Sequence, residues 1–209
     1  RLDTPCSGLL LVAKTFGAFH ELQLQLSAGK LVRDYIVVCH GWWPQRSEVR
    51  ARIYWADGAI VPSRVLQQGK VALTELKGCG HAMYASRAFS SILARITTGR
   101  RHQIRTHLAH TGHAVVCDGK YAAKATFRWC GTWCQRVFLH RFHLAFVNAA
   151  GATAHAVEAL PCDLVSAARR LSPRLTSSDS NEPFDRALGS LGAQTWEDVG
   201  RERVTGPER

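Results

Sequence analysis

Acidic side chains are scarce in this chain: its 209 residues carry 16 Asp and Glu against 27 Lys and Arg, a net charge of +11. Long apolar runs are lacking as well. The most apolar stretch, Gly8–Ala13, falls far short of the ~18–20 residues a membrane-spanning helix needs, so a soluble protein is expected. The seven cysteines are odd in number and irregularly spaced. Nothing in that spacing suggests a disulfide framework, so a reducing, intracellular compartment is expected. No Gly-rich phosphate loop, nucleophile elbow, dinucleotide fingerprint or internal repeat is present, and no signal or transit peptide is visible. The chain opens at Arg1 rather than at Met and runs at once into patterned sequence, so a fragment of a longer protein is expected.

What is there is a basic domain with a neutral end. Hydrophobic residues make up 46% and charged residues 21%, values that exclude a wholly disordered or fibrous chain. From Ser166 to Arg209 seven Arg cancel seven Asp and Glu, so residues 1–165 hold the whole excess, 20 basic against 9 acidic residues. Such concentration suits a polyanion partner; an inert basic surface is the alternative. After Leu171 the sequence turns to Ser, Gly, Pro and charge with little periodicity. This divides the chain into a folded domain over 1–171 and a flexible, disordered tail over 172–209.

Within the domain, residues 9–13 (LLLVA) read as a buried strand, and Thr15 as the N-cap of a helix carrying Phe19, Leu22 and Leu26 that stops at Gly29. Strand patterns follow at 31–39, 49–55, 59–65, 70–77 and 81–97. His102–His110 is a short helix closed by Gly112. Then come a strand at 114–117, a turn at Asp118–Gly119, a loop to about 135, a strand over 137–147 and a closing helix over 156–171 interrupted near Pro161. Strands outnumber scattered short helices, which predicts an α+β fold with a mixed or mostly antiparallel central sheet.

Several residues can carry chemistry. Asp3 lies in a turn-forming stretch, Thr4-Pro5-Cys6-Ser7-Gly8, that leads into a core strand. It reads either as a rigidly held nucleophile or general base, or as a carboxylate that caps the turn. Arg101 and Arg105 lie four apart on one helical face, and a guanidinium fixed there can pair bidentately with a carboxylate or phosphate; a solvated basic helix is the alternative. Tyr35, mid-strand, is either a packed aromatic or a ring offered to a planar ligand. Trp42, Trp43, Trp55, Trp129 and Trp133 can stack on bases or build the core. Two metal lookalikes are set aside. His107, His110 and His113 drift around a helix that Gly112 ends, and in Cys130-x3-Cys134-x5-His140-x2-His143 the two histidines fall on opposite faces of a strand.

Taken together, Arg1-Leu2-Asp3-x-x-Cys6-Ser7-Gly8-Leu9-Leu10-Leu11-Val12-Ala13-Lys14 and Gly99-Arg100-Arg101-His102-Gln103-Ile104-Arg105-x-His107-Leu108 strongly resemble the RluA-type pseudouridine synthases. The family pattern runs HRLDxxTSGLLLxAK, a KxY strand motif, TGRTHQIRxHL and GHPIxGDxxY. The last is matched by Gly112-His113-Ala114-Val115-Val116-Cys117-Asp118-Gly119-Lys120-Tyr121, and Leu139–Phe146 is similar to a later LHAxxLxF stretch. The likeness holds in register from residue 1 to about 147.

The resemblance implies the pseudouridine synthase fold and isomerisation of specific uridines in ribosomal or transfer RNA to pseudouridine, with no cofactor and no metal. Asp3 matches the catalytic aspartate that attacks the target nucleotide, at sugar or base, once the base has been flipped out. Tyr35 matches the tyrosine that stacks on the uracil, and Arg105 the arginine that ion-pairs with the catalytic carboxylate. Arg1 matches the basic residue that holds the flipped nucleotide or fills its place; Arg100, Arg101 and His102 are expected to contact RNA. A monomer in the cytoplasm, nucleus or an organelle is expected. Cys6 stands for the usual Thr, Arg33 for Lys, Arg101 for Thr and Ala114 for Pro, and none of these removes a proposed chemical group. Members carry a His before Arg1 and further strands ahead of it, so the chain is expected to lack N-terminal strands of its sheet, to expose an edge and to be weak or inactive alone. The alternative function is a catalytically silent RNA-binding protein with the same fold.

Overall fold

The computed structural model describes residues 1–44, 46–56, 61–174 and Trp196. In chain order the elements are β1 (Ser7–Gly8), α1 (Phe16–Ser27), β2 (Val32–His40), β3 (Glu48–Tyr54), β4 (Arg64–Val65), β5 (Lys70–Tyr84) and β6 (Arg87–Ile96). There follow α2 (Gln103–His110), α3 (Lys124–Cys130), β7 (Leu139–Val147), β8 (Thr153–Val157), α4 (Cys162–Ala168) and β9 (Ser172–Pro173). Among the described residues the strands form one sheet in the order β1-β7-β2-β6-β5-β3-β4, with β8 on β7 and β9 on β5. Every pairing is antiparallel except β1 with β7. This is the expected α+β, mostly antiparallel sheet with short helices.

Strand β2 shows why the sheet is the core. Its stretch Tyr35–Cys39 is apolar on both faces because both faces are covered. Tyr35, Val37 and Cys39 join Ile104 and Leu108 of α2 on one side, where Leu2 and Cys6 also pack. Ile36 and Val38 meet Cys130, Trp133, Leu164 and Ala168 on the other. The candidate site lies on the α2 side, since Leu2 and Cys6 anchor the turn that carries Asp3 there.

Several local expectations are corrected. Residues 9–13 are not a buried strand: only Ser7–Gly8 pairs, with His140 and Arg141, and Leu10 and Val12 are exposed. The reason is competition for an edge. Strand β8 occupies the same side of β7 from His143 to Val147, so the chain leaves the sheet after Gly8. Helix α1 starts and stops as read, with the Thr15 hydroxyl accepting from the Ala18 N–H at 3.2 Å and Gly29 at φ +68°, but it buries none of its residues. The break expected after Lys77 is a bulge between Gly78 and Gly80 in one continuous strand, and the hairpin turns instead at Ala85–Ser86, both at positive φ. Residues 114–117 form no strand beyond a bridge from Val115 to Cys39, and the loop before Leu139 contains α3. Residues 153–157 are a strand, so the closing helix begins only after Pro161.

Ser172 and Pro173, placed by the sequence in the tail, pair with Met83 and Ala82. Trp196 lies over the sheet between the cations of Lys77 and Arg95, at 4.8 and 4.6 Å. Arg174 N–H donates to the His81 carbonyl at 2.8 Å, and the rest of the expected tail falls outside the described residues. No described helix is long and apolar enough to cross a membrane.

Candidate active site

The Asp3 carbonyl accepts the Cys6 N–H at 2.9 Å, closing a turn over Thr4–Pro5. The backbone therefore makes the turn, and the carboxylate points elsewhere: its Oδ2 accepts from Arg105 Nη1 at 3.1 Å. The carboxylate is about one-fifth exposed, whereas the Arg105 side chain is 2% exposed.

Arg105 is aimed from behind. Its Nε and Nη2 donate to the two carboxylate oxygens of Asp118 at 2.7 and 2.8 Å, a bidentate pair that leaves Nη1 for Asp3. Burial works against the guanidinium charge, but the hydrogen bonds and charge of Asp118, joined by those of Asp3, outweigh it and hold the pKa above its ordinary value. The Tyr121 ring lies 5.2 Å from the guanidinium carbon. Gln103 fixes the entry to α2, accepting from Arg100 N–H at 3.1 Å and Thr98 Oγ1 at 2.8 Å and donating to the Leu73 carbonyl at 2.8 Å. The Gly-Arg-Arg-His-Gln-Ile-Arg run thus works as a device that presents Arg105.

Tyr35 is buried. Its hydroxyl oxygen accepts from Arg141 Nε at 2.8 Å and Nη2 at 2.5 Å. Burial pushes the phenol pKa up, and the Arg141 charge and hydrogen bonds oppose the rise. Burial, with the Asp3 charge adding, pushes the Cys6 thiol up to about 12, which keeps it neutral beside the carboxylate.

Arg1, Asp3, Tyr35, Arg100, Arg101, His102 and Arg105, the seven residues picked from sequence, all line one cleft of about 980 Å³. Arg100 Nε donates to the Val71 carbonyl at 3.0 Å. His102 caps α2 in the left-handed region, and its Nδ1 lies 2.9 Å from the Tyr121 hydroxyl. Burial lowers its pKa to about 4, with Asp3 opposing and Arg105, Lys120 and Arg101 adding, so the imidazole carries no charge near neutral pH.

Two members of the site were not singled out from sequence. Asp118 reads as a turn residue next to Gly119. Arg141 reads as one of three polar positions, with His140 and His143, in an otherwise apolar strand, and that was its signal: a guanidinium in a core strand needs a partner. The metal lookalikes do not converge. His140 Nδ1 meets Ser7 Oγ at 2.9 Å, His143 Nδ1 meets Asp34 Oδ2 at 2.8 Å, and Cys130 Sγ lies 3.5 Å from His40 Nε2. Among the described residues no three His, Cys, Asp or Glu are grouped to hold a metal ion.

The sequence pattern of the RNA pseudouridylate synthase family matches residues 1–110. A 157-residue stretch is 32% identical to "Ribosomal large subunit pseudouridine synthase C" of Escherichia coli (strain K12), covering 71% of this chain and 47% of that protein. The protein of the same name from Pasteurella multocida is 33% identical over 151 residues, 70% of this chain and 45% of the relative. The chain thus spans about half the length of these curated relatives. Among solved structures, "Human RNA Pseudouridylate Synthase Domain Containing 1" superposes with a TM-score of 0.70 at 26% identity, over 93% of this chain and 79% of that one. "Human RNA Pseudouridylate Synthase Domain Containing 4" gives a TM-score of 0.64 over 82% and 75% of the two chains; at 19% identity it supports the fold alone.

Proposed function

The chain belongs to the RNA pseudouridylate synthase family, of the RluA type its motifs resemble, and on that premise we propose that it isomerises uridine in RNA to pseudouridine with Asp3 as the catalytic residue. The observation that carries the reading is the ion pair from Arg105 to Asp3, made in a cleft that also contains Tyr35. A carboxylate that accepts from a buried, fixed guanidinium is held in one orientation, as a nucleophile requires.

The bond changes balance within the substrate. The N1–C1′ glycosidic bond breaks, the uracil turns over, a C5–C1′ bond forms, and the C5 proton leaves as N1 gains one. The product is an isomer of the substrate, so no external oxidant or reductant enters. A uridine stacked in RNA hides its glycosidic bond, and extruding it costs a few kcal/mol. Tyr35 offers a face for the extruded uracil. Arg1, Arg100 and Arg101 supply charge for the RNA backbone, which offsets part of that cost. A ribosomal or transfer RNA substrate, encountered inside the cell by a monomer, fits this reading.

The test is tritium release from RNA labelled at uridine C5, by the protein extended ahead of Arg1 to supply the strands that family members carry there, and by its Asp3→Asn variant. Release by the parent alone, with RNA affinity kept in the variant, is the expected result. A folded, RNA-binding parent that releases nothing from total cellular RNA overturns the proposal and leaves a silent RNA-binding protein. Loss of binding and turnover in proportion makes Asp3 structural.

A further inference from the structure

Arg141 sits in the middle of β7 with 7% of its surface exposed. A buried guanidinium is ordinarily matched by a carboxylate, yet the partners of this side chain are a phenol and two backbone carbonyls. Besides the Tyr35 hydroxyl, Nη1 donates to the Leu9 carbonyl at 3.1 Å and Nη2 reaches the Arg1 carbonyl at 3.5 Å. Its backbone holds the same loop: the Arg141 carbonyl accepts the Leu9 N–H at 3.0 Å, and Gly8 is its partner in the β1–β7 register. Arg1 and Leu9 bracket Asp3. One residue therefore fastens the chain on both sides of the carboxylate and, with the same guanidinium, holds the oxygen of Tyr35.

We infer that Arg141 is a positioning residue that locks Tyr35 against the Asp3 loop, so that the uracil-stacking ring and the attacking carboxylate keep one fixed relation. The inference rests on the function proposed above. It also defines what Tyr35 can do. A phenol oxygen has two lone pairs, and the Nε and Nη2 contacts occupy both. The neutral hydroxyl then has no lone pair left for a substrate proton; it can donate its own hydrogen and present its ring. Only the phenolate can accept a proton, and the adjacent guanidinium favours that form while burial disfavours it.

The test compares Arg141→Gln and Arg141→Lys with the parent by turnover, RNA affinity and titration of the phenol. Difluorotyrosine placed at position 35, with Tyr35→Phe as the blank, brings the titration into a range where the protein stays folded. Removing the guanidinium is expected to lower kcat by at least about tenfold, since small misplacements at a reacting centre are amplified. RNA affinity is expected to stay within about twofold, because the side chain is largely buried. The phenol midpoint is expected to move to higher pH in Arg141→Gln and by less in Arg141→Lys, which keeps a charge without the fork. Parental kcat or an unmoved midpoint in Arg141→Gln overturns the inference, as does a fall in affinity that accounts for the whole loss of turnover. If Arg141→Gln does not fold, Arg141→Lys decides by the same readouts. A parent that releases no tritium defeats the proposed function, while the titration still decides whether Arg141 governs Tyr35.

Discussion

Asp118 grips Arg105 with both carboxylate oxygens, at 2.7 and 2.8 Å, and thereby decides which guanidinium nitrogen faces Asp3. Both side chains of the pair are essentially out of solvent, 2% and 0% exposed. Burying two charges is costly and the pair offsets that cost only while it is complete. Asp118→Asn replaces one acceptor with a donor and leaves Arg105 undercompensated. The expected loss is on the order of 3 kcal/mol of stability, read by urea unfolding, together with loss of tritium release even where the protein remains folded. Parental activity in a destabilised Asp118→Asn would separate the two roles and show that Asp118 supports the fold without aiming Arg105.

The loop carrying Asp3 depends on a close backbone approach at Gly8. This residue has φ +116°, and a Cβ there would stand 2.1 Å from the Arg141 carbonyl oxygen. The three nearest atoms all belong to the Arg141 backbone rather than to the movable end of a side chain, so Gly8→Ala must pull β1 off β7. Gly112→Ala is the control: it also has positive φ, +86°, but a Cβ there meets nothing within 4 Å. The control is expected to cost about 1–2 kcal/mol, the left-handed penalty alone. Gly8→Ala is expected to cost more and to abolish turnover as the loop shifts. Equal melting temperatures for the two variants would mean that the close approach is relieved elsewhere.

Much of this site could be read from the chain because its parts sit in short local runs. Asp3 lies in a turn signature, Arg105 in a helix opened by a glycine, and Tyr35 in an apolar strand. What could not be read depends on distant pairing. Arg141 meets Tyr35 across 106 positions of sequence. Leu9–Ala13 have every local mark of a buried strand, and only the presence of β8 on the same edge of β7 rules it out. Helix α3 has no side-chain cap at Ala123, which removed the usual start signal. The turn at Ala85–Ser86 puts two non-glycine residues at positive φ, so the glycines at 78 and 80 were the more attractive break.

His107 makes the fold sensitive to mild acid. It is fully buried, with Nε2 lying 3.2 Å from the Ala51 carbonyl and Nδ1 2.9 Å from Thr74 Oγ1. A carbonyl only accepts, so Nε2 carries the hydrogen and Nδ1 accepts from the threonine. Burial lowers the pKa from the ordinary 6.5 to about 4, against the pull of the Ala51 carbonyl and with His110 adding. His40, lowered to about 4 by burial and by Arg87, acts in the same direction. As pH falls below 6.5 the unfolded chain binds protons that the folded chain refuses. Stability is therefore complete above about pH 6.5 and declines as pH falls toward 4, by an amount on the order of 3 kcal/mol for His107. Urea unfolding at pH 7.5 and pH 5 is the check. Equal free energies at the two values would show that His107 is not held neutral.

RNA binding distinguishes the charges at the cleft mouth from the neutral ring beside them. Arg100 and Arg101 precede α2 and line the cleft, as does His102, whose pKa of about 4 leaves it uncharged at pH 7. A cation that neutralises one phosphate releases a counterion and adds ~0.7 to the slope of log affinity against log salt on a single strand. Arg100→Ala and Arg101→Ala are each expected to lower the slope by about that amount and to weaken binding across RNA sequences rather than at one base. His102→Ala is expected to leave the slope unchanged at pH 7, since it removes no charge. Its effect belongs instead to α2, through the lost contact with Tyr121. Affinities measured by filter binding at several salt concentrations decide the matter. An unchanged slope in both arginine variants would place the RNA backbone on another part of the basic surface, and a reduced slope in His102→Ala would mean that the imidazole is protonated when RNA is bound.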